Sequence, residues 1–416
     1  MRCVVFVLAT LALVGCQDAM QPAQPATSLP LAQPGPGSYE VVNLGTLDRT
    51  NGFGGGGSWA WSVNARGQIV GWSRTGVGEP APYGATHAFI WENGVMTDLG
   101  TLGGSSSRAL YVNGSGQVAG WSGTASGDAH AFLSDGGVMR DLGTLGGTWS
   151  TPTGLSDAGL VVGSSGTAAG ASHAFAWQDG VIQDLGTLGG GSSDATAANG
   201  AGQVVGSSET AAGDTHAFLW DAGLMRDLGT LGGTFSSAAA ISEVGAVTGQ
   251  STDASGQSHA FLWKDGVMQD LGLLPGYVSS SGVSLNAAGA VAGEASNPQS
   301  FSDGGFFWAA GVMSDLGTLG GHNTHVAAVG PQGQVAGTST RSNYRFNVRA
   351  FVWEDGMMHD LGALAGHDNA QAFGMNARGD VVGMSSRQYP GSDLYRAVLW
   401  RRFGGSPAAQ TVASNR

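Results

Sequence analysis

Three short motifs share one period along most of this chain, and that repetition constrains the fold more than any other feature. The segment Asp98-Leu99-Gly100-Thr101-Leu102, with small variations, recurs from Asp141, Asp184, Asp227, Asp270, Asp315 and Asp360. The spacings are 43, 43, 43, 43, 45 and 45 residues. A relative, Asn43-Leu44-Gly45-Thr46-Leu47, precedes them all. A second motif, His87-Ala88-Phe89-Ile90-Trp91, returns at His130, His173, His216 and His259, then in degraded form at Phe306, Ala350 and Ala397. A third, Gly67-Gln68-Ile69-Val70-Gly71, occurs eight times, the last from Gly379 to Gly383. Length alone would divide 416 residues into two or three domains. A closed array of small units makes a single domain of this size instead.

One unit reads as four short strands. The first leads into Asn-x-x-Gly, as at Asn64 to Gly67 and Asn376 to Gly379, which suits a type I turn. The second is Gly-Gln-Val-Val-Gly. In the third, Phe218 and Trp220 share one face while Ala217 and Leu219 share the other, so both faces are apolar and the strand is buried on two sides. Asn93-Gly94, Asp179-Gly180, Asp265-Gly266 and Asp355-Gly356 then signal two-residue hairpins. The fourth strand carries polar residues (Arg140, Gln183, Arg226, Gln269, His359) that fit an exposed edge.

Four strands in about 43 residues is the blade pattern of a β-propeller. The expected fold class is all-β: an eight-bladed propeller over residues 39–402, with its ring closed by the N-terminal strand in the last blade. The ends carry this expectation. The last unit stops after Ala397-Val398-Leu399-Trp400 without a fourth strand, and Tyr39 to Leu47 is a fourth strand without a unit.

Composition narrows the function classes. Gly is 73 of 416 residues and charged residues are 11%, yet the hydrophobic fraction is 42% with 12 Trp, so this is not a disordered composition. The net charge of −13 lacks the basic footprint of nucleic-acid binding. Cys3 and Cys16 both precede the repeats, so no disulfide framework or cysteine metal site lies within them. No cofactor is expected, and the chain is expected to act as a monomer.

The three motifs together resemble the HAF-repeat family of bacterial extracellular proteins over residues ~39 to 402. The resemblance implies secretion and a repeat fold, and it implies no activity. Arg2 and the apolar run from Cys3 to Val14 read as a secretory signal. Leu13-Val14-Gly15-Cys16 resembles the bacterial lipobox, which implies cleavage after residue 15 and acylation of Cys16. Gln17 after the cysteine favours the outer membrane or cell surface over the inner membrane. Residues 16–38 hold five prolines and four glutamines and read as a linker; residues 403–416 read as a tail.

If the first strands line an axis, the short turns fall on one face and the longer connections on the other, where binding residues concentrate. Units 1 and 6 to 8 have the long connections, and these units are contiguous on a closed ring. Candidate ligand-binding residues there are Trp59, Trp61, Tyr277, Arg341, Tyr344, Arg345, Arg387, Tyr389 and Tyr395; aromatic rings and arginines dominate binding hot spots. Repeat drift near the seam would account for the same cluster. No nucleophile with an evident base is present, so no catalytic residue is assigned. The repeated histidines cannot converge on a metal across a ring, and a structural hydrogen-bonding role is expected for them and for the repeated aspartates. His322, His325 and His367 are a weaker metal alternative, and no metal site is assigned. Trp149 and Phe235 are expected exposed in loops. The expectation is a non-enzymatic, lipid-anchored protein of the cell envelope that binds a protein or glycan partner. The alternatives are a polysaccharide-acting hydrolase using acids such as Glu209, Glu243 and Glu294, and a surface spacer.

Overall fold

The computed structural model describes residues 38–48, 57–76, 85–297, 299, 302–342, 347–387 and 395–404. Cys16, Tyr344, Arg345 and Tyr389 lie outside the described residues. The described residues form 32 β-strands and no helix. The strands fall into four-stranded antiparallel groups, one per repeat. Unit 4 shows the pattern: Gly189–Ala198, Val204–Thr210, Thr215–Asp221 and Leu224–Asp227, each paired with the next.

The turn after the first strand is built by its asparagine. Asn199 Oδ1 accepts the N–H groups of Ala201 and Gln203, and the Gly202 N–H reaches the Asn199 carbonyl at 3.1 Å. The Gly-Gln of the third motif therefore belongs to the turn, and the second strand begins at Val204 rather than at Gly202. Side-chain capture of the backbone outcompetes the ladder here. The asparagine amide also crosses to the neighbouring unit, where Asn199 Nδ2 donates to the Ser242 carbonyl.

A bulge sits in each first strand, as where the register shifts between Ala195 and Ala197 and leaves Thr196 unpaired. Opposite it, Gly206 lies so close that a Cβ would run into the Asp194 carbonyl oxygen. Only glycine fits that approach.

Packing between units is as repetitive as the sequence. Phe218 is fully buried against Val162, Ala174 and Ala176 of unit 3, while Ala217 and Leu219 meet Ala238, Val247 and Phe261 of unit 5. Burying a phenylalanine in this way contributes about 1.5–3 kcal/mol. The joint of units 4 and 5 also carries a buried hydroxyl: Ser236 Oγ accepts the Ala217 N–H at 2.8 Å and donates to the Gly229 carbonyl at 2.6 Å.

The first and last described strands pair with each other. Tyr39–Gly45 pairs antiparallel with Tyr395–Arg402, from Tyr39↔Arg402 to Gly45↔Ala397. That sheet packs on unit 1 through a cluster joining Leu44, Val382, Ala397 and Leu399 to Ala60, Ile69 and Phe89. The seam repeats the interior joints bond for bond: Ala397 N–H to Ser58 Oγ (2.9 Å), Ser58 Oγ to the Gly45 carbonyl (2.6 Å), and Asn376 Nδ2 to the Asn64 carbonyl (3.0 Å). First strands of consecutive units approach one another, and Ser58–Val63 approaches Asn369–Met375.

Two local expectations are corrected. Trp149 and Phe235 lie in first strands, Gly146–Leu155 and Gly232–Ile241, because the chain enters the sheet directly after the paired glycines. Phe235 is half-buried, whereas Trp149 is exposed as expected, with its indole against Gly166. Among the third-strand tryptophans, Trp91, Trp177, Trp308 and Trp400 are buried, whereas Trp220, Trp263 and Trp353 are half-buried at the cluster edges.

Candidate functional site

The repeated histidines and aspartates meet each other. His87, His130, His173, His216 and His259 place Nδ1 2.7–2.9 Å from the carboxylates of Asp98, Asp141, Asp184, Asp227 and Asp270. Each aspartate also accepts the N–H of the glycine two residues on, as Asp98 does from Gly100 at 2.7 Å. Burial pushes the Asp98 carboxyl upward, but the His87 and Gly100 hydrogen bonds outweigh it and hold its pKa below the usual value. This arrangement locks the third strand to the fourth strand's exit.

Where the unit changes, the pair changes with it. In unit 7 Arg349 replaces the histidine, 3.7 Å from Asp360, and also donates to the Asp368 carbonyl; Arg341 lies 3.9 Å from the same carboxylate. In unit 6 the histidine position is Gly304, and the Tyr277 ring fills the space its side chain would take. Tyr277 is thus half-buried packing at the joint of units 5 and 6, apart from the other candidates.

A second difference between units lies at one cross-strand pair of the first two strands, where the second-strand residue directly follows the bulge-facing glycine. Units 3 to 5 pair small or polar residues there: Thr151↔Ser164, Asp194↔Ser207 and Ser237↔Gln250. Units 1 and 2 pair Trp59↔Trp72 and Arg108↔Trp121; units 6 to 8 pair Ser281↔Glu294, His325↔Thr338 and Gln371↔Met384. Two features arise from these substitutions.

The first is a cavity of about 420 Å³ lined by Trp61, Phe373, Ala327, His325, Gln371 and Thr338, together with Val326 and Ala372. Trp61, Ala327 and Phe373 are the extra residues of the bulges in units 1, 7 and 8, so the bulge is what turns them into the opening. Trp61 stacks on Phe373 with centroids 4.9 Å apart. His325 Nδ1 lies 3.3 Å from Glu294 Oε1, which also accepts the Val326 N–H. The Glu294 hydrogen bond raises the His325 pKa against the opposing effect of burial.

The second is a ladder across the seam. Tyr395 stacks on Trp59 at 4.7 Å, Trp59 on Trp72 at 3.8 Å, and the Arg108 guanidinium lies between Trp72 (4.5 Å) and Trp121 (5.5 Å). Of the candidates read from sequence, Trp59, Trp61 and Tyr395 therefore gather around units 8 and 1. Arg341 and Arg387 stay on the rims of units 7 and 8, where Arg387 and Arg396 add to the burial that lowers the His367 pKa.

Arg108, Trp121, Gln371 and Phe373 were not singled out in the sequence reading. Their signal is visible once the eight Gly-x-x-x-Gly motifs are aligned: Trp72 and Trp121 directly follow the second glycine, where units 3 and 4 have serine. His322, His325 and His367 do not form a metal cluster; among the described residues no three His, Cys, Asp or Glu groups come together to hold an ion. Glu209 and Glu243 are held separately, by the Gly191 and Gly200 N–H groups.

No family model matches the chain. No curated protein matches it either. Among solved structures, similarity is found to TolB from Acinetobacter baumannii at 13% identity and TM-score 0.37, over 62% of each chain. A Mycobacterium tuberculosis puromycin-hydrolyzing peptidase matches at 13% identity and TM-score 0.42, over 67% of this chain and 49% of its own. A gluconolactonase from Xanthomonas campestris matches at 10% and 0.34, over 92% and 99%. This chain thus spans less than two thirds of the first two.

Proposed function

We propose that the chain is an eight-bladed β-propeller of the HAF-repeat type, closed by its own first strand, and that it is a non-enzymatic binding protein of the cell envelope, tethered through lipid at Cys16. Its partner is a glycan, whose end group enters the cavity at units 1, 7 and 8. Closure is supported by the Tyr39–Gly45 pairing and by the seam bonds that match those of the joint of units 4 and 5. The tether is supported by the lipobox-like Leu13-Val14-Gly15-Cys16.

One observation carries the binding reading: the cavity lies where the repeat is broken. Bland units would place small residues there, as unit 5 does with Ala239 at its bulge. Units 1 and 8 place Trp61 and Phe373 there instead, beside the amide of Gln371 and the Glu294–His325 pair. A volume of about 420 Å³ with apolar walls and a few convergent polar groups is the form of a small-ligand site. Aromatic faces take the C–H surface of a sugar ring, and the amide and carboxylate take its hydroxyls.

The test is capture of oligosaccharides by the purified chain, with Trp61→Ala and Gln371→Ala beside it. Specific capture that falls at least tenfold in both variants is expected. Equal capture by all three proteins moves the site elsewhere, and capture of proteins alone replaces the glycan reading. The hydrolase alternative is favoured by one feature, the His325–Glu294 hydrogen bond, and it predicts release of reducing ends that Glu294→Gln abolishes.

A further inference from the structure

We infer that Arg108 anchors a second subsite on the same face, one that takes the carboxylate of an acidic saccharide. The glycan class rests on the reading above; the cation does not, since the subsite shares no residue with the cavity.

The argument starts from what surrounds the guanidinium. The guanidinium carbon lies over the Trp72 and Trp121 rings, 4.5 and 5.5 Å from their centroids. The guanidinium donors all lie in its plane, at the edge of the fork. Among the described residues no carboxylate or carbonyl accepts from that edge, and Nε is buried with no hydrogen-bond partner. Three half-buried arginines of units 7 and 8 differ: Arg349 sits by Asp360, Arg378 by Asp380 at 2.9 Å, and Arg402 by Glu354 at 2.7 Å. Among the described residues Arg108 has no carboxylate counter-charge, although the chain is acidic overall. Burial without a partner destabilises the charged form, and the Arg108 pKa is lowered for that reason alone.

The fold does not require an arginine here. Thr151, Asp194 and Ser237 occupy the equivalent positions of units 3 to 5 in the same strand geometry. What the two rings achieve is presentation: cation–π contacts to both hold the guanidinium in place, so part of the ordering cost is met before a ligand arrives. Two coplanar oxygens match the Nη1–Nη2 edge in a bidentate pair. A uronate brings one carboxylate on a ring whose C–H surface suits the neighbouring indole edges. An acidic polypeptide would bring many charges to a chain that is itself at −13.

The experiment titrates the purified full chain with a galacturonate tetramer, the matching neutral galactose tetramer and an acidic peptide, following tryptophan fluorescence and heat. Arg108→Gln, Arg108→Lys and Trp61→Ala are run in parallel, with melts to verify folding. Uronate binding should weaken at least tenfold in Arg108→Gln, since a charge-assisted hydrogen-bonded pair is at stake. Arg108→Lys should lose less, keeping the charge without the fork. In the wild type, uronate affinity should fall as salt rises, a readout that needs no variant. Neutral tetramer binding should follow Trp61 and ignore Arg108, which separates failure of the cavity reading from failure of this one. Uronate binding equal in wild type and Arg108→Gln, salt-independent uronate binding, or absence of uronate binding each overturns the proposal. A response to the acidic peptide alone overturns the saccharide class.

Discussion

Each third-to-fourth strand hairpin turns through two residues of positive φ, and the first of them decides how comfortable the turn is. Asn93, Asp179, Asp265 and Asp355 hold φ of 51–52°, but Ala222 and Ala310 are forced to 49° and 51°. A left-handed conformation costs alanine more than it costs asparagine, whose side chain bonds locally. Ala222→Asn and Ala310→Asn should each stabilise the chain by about 0.5–1 kcal/mol, read from urea unfolding midpoints. The Tyr39 hydroxyl is the reverse case: it is buried without a partner, and burial pushes its pKa up to about 12. Tyr39→Phe should therefore leave stability unchanged or raise it by about 1 kcal/mol; a clear loss in the same unfolding assay would show that the hydroxyl is bonded. The acid limb has a defined sign. Asp98 is depressed in the folded state, so its contribution is present above the unfolded carboxyl value of about 3.9 and is lost as pH falls through the lower folded value. Unfolding midpoints measured from pH 5 down to pH 2 should decline, and Asp98→Asn should flatten part of that decline. Hairpin asparagines and aspartates were legible in the sequence because turn chemistry is local. The partners of Arg108 were not, because Trp72 and Trp121 reach it from strands 36 residues before and 13 after, and only the joint between units sets that distance.

At the level of the element, the unit is held by close backbone approach as much as by apolar burial. The glycine that faces each bulge has no room for a methyl group. Gly206→Ala should cost about 3 kcal/mol or more, since backbone on both strands must shift. Ser236→Ala should cost about 1–3 kcal/mol by leaving the buried Ala217 N–H unpaired. Chemical denaturation of the two variants measures both, and a cost for Gly206→Ala as small as a surface change would contradict the bulge account. Strand number and order were legible because apolar alternation and turn residues repeat eight times. Strand limits were less so. The Asn199 side chain draws Gly202 and Gln203 into the turn, and the first strand runs past Trp149 and Phe235 into what reads as loop. The bulge is silent in sequence, and it is what carries Trp61 and Phe373 to the cavity.

For the whole molecule, the reading of a closed ring makes the first strand a structural keystone. Removing residues 39–45 would expose the edge of Tyr395–Arg402 and open the cluster around Leu44. Such a chain should lose cooperativity, with a lower denaturant midpoint and a shallower slope, while an open stack of units would lose little more than one strand's contribution. The same geometry brings units 8, 1 and 2 together, so residues from the two ends of the chain share one face. Sequence pointed to that region through Trp59, Trp61 and Tyr395, and it could not separate the cavity from the arginine ladder, since both depend on which strands become neighbours. The measurement that bears most directly on the functional account is hydrogen–deuterium exchange of the full chain with and without a captured oligosaccharide. Added protection should be confined to the first strands of units 1, 7 and 8, at Ser58–Val63, Thr324–Val329 and Asn369–Met375. Protection spread over the outer fourth strands, or none in those three segments, would contradict it.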